Sequence, residues 1–262
     1  MDLQKICEEV CLLAKETGRF LKSEIGKISA ADIEIKGFND FVTYVDKTSE
    51  KKIVNSLQRL LPEAGFIVEE KTVTAKGERY NWIVDPLDGT TNFIHGLPCY
   101  SVSIALTEGD EVILGVVYEV NLEECFYAYK GGKAFLNGKE ISVSDKHKVS
   151  DALVATGFPY YDYSELGRYM QLFTYFLKNS HGIRRLGSAA VDLVYVACGR
   201  FEAFFEYGLK PWDVAAGAFI ITRAGGKVSD FKGGSDYLFG QQIVATNFAL
   251  ADEFEEIVKE VF

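Results

Sequence analysis

The chain has 262 residues, 48% of them hydrophobic, with near-average charge content and few prolines, which is enough apolar material for a large core. A net charge of −10 argues against general affinity for nucleic acid or an anionic membrane, since those surfaces call for clustered Lys and Arg. No apolar run reaches the length that spans a bilayer, and the opening Met1-Asp2-Leu3-Gln4-Lys5 lacks the basic-then-apolar order of a signal peptide, so a cytoplasmic protein is expected.

The first predicted element is a long amphipathic helix. Leu3, Ile6, Cys7, Val10, Leu13, Ala14, Leu21 and Ile25 fall on one face, and Gly26 stops it. The five cysteines (Cys7, Cys11, Cys99, Cys125, Cys198) are scattered. Cys7 and Cys11 lie one helical turn apart, yet no matching Cys or His pair follows, so reduced core cysteines are expected rather than a metal site. His95, His147 and His181 show no ligand spacing either. Ile33 and Ile35 alternate with Glu34 and Lys36 as in a half-buried strand, Gly37 to Asp40 reads as a loop, and Asp46 reads as the N-cap of a second helix that Pro62 closes.

Gly65-Phe66-Ile67-Val68 is a short apolar strand that ends on Glu69-Glu70. After a polar loop comes a second apolar strand, Trp82-Ile83-Val84. It ends at Asp85, because Pro86 offers no backbone donor and biases the residue before it toward extended geometry. Two buried strands that stop on acids imply ends that converge on one polar pocket. Asp88-Gly89-Thr90-Thr91 then has the composition of a tight turn opening a short helix, whose free N–H groups favour an anion such as phosphate. Carboxylates beside a phosphate make chemical sense mainly with divalent cations between them. The isolated pattern is equally compatible with a solvated turn.

From Tyr100 the sequence reads as a meander of antiparallel strands (101–107, 112–118, 124–129, 133–136) with turns at Gly109, Asn121 and Asn137-Gly138. A strand at 151–156, an amphipathic helix marked by Leu166, Tyr169, Phe173 and Phe176, and a short strand at 181–186 follow. Ser188 then caps a mostly apolar helix, Phe201 to Phe205 alternates as a strand ending at Glu206, and Asp213 stands in the first turn of a helix that is apolar all round. Strands at 227–229 and 243–245 and a closing helix complete the chain, with no internal repeat or linker.

Asp40-Phe41-Val42-Thr43 with Asp46, Glu69-Glu70, Trp82 to Asn92, and Trp212-Asp213 with Gly225-Gly226 together resemble the inositol monophosphatase family in order, spacing and identity, over essentially the whole chain. The resemblance implies an α+β fold, the layered αβαβα sandwich of the inositol monophosphatase and fructose-1,6-bisphosphatase type. It implies one catalytic unit over 1–262, with an N-terminal half to about 145 carrying most metal ligands and a C-terminal half from about 146 carrying Asp213 and the ring contacts. It further implies a homodimer and Mg²⁺-dependent, lithium-sensitive hydrolysis of phosphate monoesters, with two to three Mg²⁺ per site.

Carried over residue by residue, the resemblance makes Glu69, Asp85 and the Leu87 carbonyl ligands of a first Mg²⁺, and Asp85, Asp88 and Asp213 ligands of a second. Glu69 helps hold a third. Asp40 and Thr90 match the pair that aims the attacking water, Lys36 matches a basic residue near the metals, and Gly89, Thr90 and Thr91 fall at the phosphate. Glu206, Asp88 and the Gly187-Ser188-Ala189 segment fall where the family grips ring hydroxyls. The implied reaction is in-line attack of water without a covalent phosphoenzyme. Charge counting agrees: Glu69, Asp85, Asp88 and Asp213 bring about −4, which two Mg²⁺ cancel, and a third balances a phosphate dianion. Inositol monophosphate is the leading substrate. Histidinol phosphate, fructose 1,6-bisphosphate, phosphoadenosine phosphate and NADP are the alternatives within the family, and a metal-binding regulator without turnover is the alternative outside it.

Overall fold

Three helical layers and two sheets alternate through the computed structural model of the chain, which describes residues 1–28, 33–37, 40–160 and 162–262, the side chains of 33–37, 40 and 41 excepted. Helices α1 (Leu3–Glu24) and α2 (Tyr44–Leu60) form the first layer. Between them β1 (Ile33–Gly37) and β2 (Asp40–Thr43) make an antiparallel ribbon, so Asp40 opens a strand where a loop was expected. The α1 start is fixed by Asp2, whose side chain accepts the Lys5 N–H at 3.1 Å.

The second layer is a seven-stranded sheet in sequence order, β3 (Gly65–Val68), β4 (Tyr80–Asp88), α3 (Thr90–Ile94) leading into β5 (Ser101–Glu108), β6 (Glu111–Glu119), β7 (Glu124–Tyr129), β8 (Ala134–Leu136) and β9 (Lys139–Glu140). Only the β3–β4 pair is parallel, and the rest is the expected meander. The apolar run in β4 follows from burial on both faces. Trp82 and Val84 pack under α1 and α2, while Ile83 faces the other way, into the molecule's centre.

That centre holds α5 (Ala189–Ala197) and α6 (Pro211–Arg223), packed on each other and between the two sheets. A helix sandwiched between two apolar surfaces has no wet face, which is why α6 is apolar all round. The fourth layer is the five-stranded sheet of β10 (Leu153–Thr156), β11 (Gly182–Arg184), β12 (Ala203–Tyr207), β13 (Lys227–Ser229) and β14 (Gln242–Thr246), ordered β11-β10-β12-β14-β13. Helices α4 (Leu166–Asn179) and α7 (Ala251–Lys259) close its outer face, where Phe176 and Phe254 stack with centroids 4.3 Å apart. The architecture is the αβαβα sandwich.

Three local expectations need correction. The strand β4 does not end at Asp85: it continues through Pro86 to Asp88 by a bulge, which accommodates the missing N–H. The strand β12 begins at Ala203, not Phe201, and runs one residue past Glu206 to Tyr207, with Glu206 paired with Ile243 of β14. The N-cap of α2 is Thr43, with Asp46 three residues on accepting the Thr43 N–H at 2.8 Å in a capping box. All five cysteines are free thiols, three buried and two (Cys99, Cys198) half-buried. Among the described residues no helix is long and apolar enough to cross a membrane.

Candidate active site

The ends of β3 and β4 deliver the first acids. Parallel pairing sets Val68 beside Val84, so Glu69, just past the end of β3, and Asp85, within β4, stand at the same level, and the Glu69 N–H donates to the Val84 carbonyl at 3.3 Å. Asp85 and Asp88 are three residues apart, a spacing that in a regular strand sends side chains to opposite faces. On the partner strand the same interval is only two residues, Ser103 opposite Asp85 and Ser101 opposite Asp88. The extra residue of the bulge brings both carboxyls to one cavity.

Asp85, Asp88 and Asp213 are each anchored by donors of the chain. Asp85 accepts the Leu87 N–H at 2.9 Å. Asp88 accepts the Ser188 hydroxyl at 2.6 Å and the Ala190 N–H at 2.8 Å, so it occupies the start of α5, the helix that Ser188 caps. Asp213, in the first turn of α6, accepts the Lys210 N–H at 2.7 Å, and Ser103 ties the neighbouring Trp212 carbonyl to β5 at 3.1 Å. Asp85 and Asp213 face the same cavity.

Glu69, Asp85, Leu87, Asp88, Gly89, Thr90, Thr91, Gly187, Ser188, Ala189, Glu206 and Asp213 all line this one cavity of about 650 Å³. Residues from both halves of the chain thus meet between the two sheets. Lys36 and Asp40 were expected here too, but their side chains lie outside the described residues. Gly89 has φ 95°, a left-handed conformation that suits glycine, and a Cβ there would come 3.0 Å from the Cys99 carbonyl. It starts the five-residue α3 and turns the chain so that Thr90 faces back toward Leu87.

The Thr90 hydroxyl lies 2.9 Å from the Leu87 carbonyl and 3.0 Å from Asp46 Oδ1. It carries one proton and so donates to one of them at a time. Asp46 is therefore a site residue that sequence reading took only for a helix cap. Its Oδ2 serves the capping box, and its Oδ1 remains for a long-range partner. The Thr43-x-x-Asp46 spacing held the signal: in a capping box the acid is the third helical residue, which spends only one of its two oxygens on the cap.

The electrostatics of the cavity call for a cation. Burial raises Asp85 well above the ordinary carboxyl range, and Glu69, Asp88 and Asp213 add like-charge repulsion. Burial likewise raises Asp88, against hydrogen bonds from Ser188 and Ala190, and pushes Asp213 up to about 7 with repulsion from Asp88. Deeper in the cavity Glu206 and Asp192 are raised by burial first, then by Asp213 for Glu206 and by Glu206 for Asp192. Arg185 opposes part of this repulsion at both. Among the described residues no three acidic, His or Cys side chains stand as a ready-made metal cage. The donors fit a hard divalent ion such as Mg²⁺ nevertheless: all are oxygens, each anchored acid keeps a second oxygen, and a bound cation would let them ionise.

The model of the inositol monophosphatase family matches residues 2–261. An inositol-1-monophosphatase of Mesorhizobium japonicum is 38% identical over 94% of this chain and 93% of that protein. A fructose-1,6-bisphosphatase/inositol-1-monophosphatase of Aquifex aeolicus is 38% identical over 99% of this chain and 97% of that protein. The crystal structure of the extragenic suppressor protein suhB from Bartonella henselae superimposes with a TM-score of 0.93 at 37% identity, covering 98% of this chain and 99% of that one.

Proposed function

The chain belongs to the inositol monophosphatase family, and from that premise we propose that it is a Mg²⁺-dependent phosphatase of small phosphate monoesters, with myo-inositol monophosphate the preferred substrate. We place it in the cytoplasm as a lithium-sensitive homodimer; light scattering that finds only monomer would remove the dimer. The observation that carries the reading is the convergence of Glu69, Asp85, Asp88 and Asp213, from distant parts of the chain, beside the Gly89-Thr90 turn.

Glu69, Asp85, the Leu87 carbonyl, Asp88 and Asp213 are the groups that would hold Mg²⁺. When bound, the ions supply neutralisation of the ester's charge and make water acidic enough to attack at neutral pH. The chain's own residues do the rest. Thr90 Oγ1 accepts a proton from the attacking water while its own moves to the ionised Asp46 carboxylate, whose affinity for a proton burial raises. The N–H groups of Gly89 and Thr90 face the phosphoryl oxygens, and attack in line with the leaving alkoxide breaks the P–O bond without a covalent intermediate. Glu206, Asp88 and the 187–189 segment hold the hydroxyls of the leaving alcohol.

A sugar bisphosphate such as fructose 1,6-bisphosphate is the nearest competitor, since the Aquifex relative's name joins two activities. A non-catalytic regulator is the second reading, supported by a neighbour named as a suppressor protein rather than as an enzyme. Phosphate release from a panel of esters, with and without Mg²⁺, separates these. Fastest turnover of inositol monophosphate supports the proposal, a different preferred ester replaces the substrate, and no release from any ester sinks the enzyme.

A further inference from the structure

The acid at the end of β3 sits on a loop, and loops do not hold metal ligands in place unaided. The following residues are pinned from outside the cavity. Glu50, in the middle of α2, is fully buried and points both carboxylate oxygens at this loop. Oε2 accepts the Glu70 N–H at 2.7 Å, and Oε1 accepts the Thr72 N–H at 2.8 Å. Between these two amides Lys71 has φ 53°, a left-handed conformation costly for a residue with a Cβ. The chain therefore takes a strained turn immediately after Glu69, and one carboxylate grips it on both sides.

We propose that Glu50 is a positioning residue: by clamping the Glu70 and Thr72 amides it holds the strained turn at Lys71 and thereby fixes Glu69 at the mouth of β3 for a cation. The proposal rests on the reading of Glu69 as a Mg²⁺ ligand. A carboxylate suits the task better than an amide, because it offers two acceptors and no donor to oppose the two N–H groups. Glu50 itself is absent from the residues that line the cavity, so its influence on the reaction passes through the loop.

Two measurements on the full chain test this. In metal-free protein, hydrogen–deuterium exchange at the 70–72 amides of Glu50→Gln should be at least about tenfold faster than in wild type, with α1 and β5 unchanged. In calorimetric titration with Mg²⁺ alone, the variant should bind at least about tenfold more weakly, the range seen when supporting partners of metal ligands are removed. At saturating Mg²⁺ its KM for inositol monophosphate should stay within about twofold of wild type, since no ring or phosphate contact is lost. Adding Lys71→Gly, which removes the cost of the left-handed turn, should recover part of the Mg²⁺ affinity. A merely structural Glu50 would give lower thermal stability with no such recovery. Unchanged amide exchange, or faster exchange with unchanged Mg²⁺ affinity, overturns the proposal. Wild-type protein that binds no Mg²⁺ removes the functional reading and the metal consequence with it, whereas the exchange result judges the clamp separately.

Discussion

Replacing Asp213 by Asn should make the metal-free protein more stable at alkaline pH while abolishing activity. The carboxyl has an ordinary value of 3.8 and stands at about 7 in the folded chain, raised by burial first and by Asp88 second. The sign follows from proton binding. Below the unfolded value both states are protonated and the group contributes its full stabilisation; as pH rises toward about 7 the unfolded state ionises while the folded one keeps its proton, and stability is lost. The full gap is worth about 4 kcal/mol, and the half-buried position of the group trims this through solvent screening to about 1–3 kcal/mol. Asn cannot ionise and still offers an oxygen to the Lys210 N–H. In EDTA the variant's Tm should therefore match wild type near pH 4 and exceed it by about 2–8 °C at pH 8, while the Mg²⁺-induced rise in Tm seen for wild type shrinks and phosphatase turnover falls by more than about a hundredfold. A variant destabilised by the same margin at pH 5 and pH 8 would show that Asp213 carries no ionisation cost, and the electrostatic reasoning would fail.

Thr90→Val and Asp46→Asn should each lower kcat by about 10²–10³ with little change in KM, because both interrupt one proton path; unequal effects, with one variant near wild type, would break the pair apart. Glu206→Gln should change the ranking of esters more than it changes the Mg²⁺ dependence, and a shifted Mg²⁺ optimum with unchanged ranking would count against its hydroxyl-binding role. Gly157 lies against that carboxyl so closely that a Cβ would fall 2.1 Å from Glu206 Oε2; Gly157→Ala should raise KM for inositol monophosphate by about tenfold and leave a flat aryl phosphate almost untouched, which steady-state kinetics on the two esters would decide.

Much of this architecture was legible because it rests on local periodicity. The α1 face, the meander and the all-apolar α6 follow from spacing alone, and the acids that follow two apolar runs, Glu69 and Asp85, pointed to a shared pocket even though β4 runs on past Asp85 to Asp88. What stayed hidden were long-range pairings. The bulge at Pro86 depends on where β5 lies, and only with Ser103 and Ser101 in register do Asp85 and Asp88 turn to the same side. Asp46 looked like a complete local motif, and its bond to Thr90 joins residues 44 positions apart. Glu50 read as one more polar residue on a helix, since the loop it grips lies 20 and 22 residues further on.

If the proposed function holds, the cavity takes hard cations on Glu69, Asp85, the Leu87 carbonyl, Asp88 and Asp213. Crystals soaked in Mn²⁺, with diffraction recorded on either side of the manganese edge, test it most directly. At least two anomalous peaks are expected about 2.0–2.3 Å from these oxygens, where hard cations of this size bind carboxylates. A cavity without peaks at saturating Mn²⁺, or peaks confined to other acids on the surface, would contradict it.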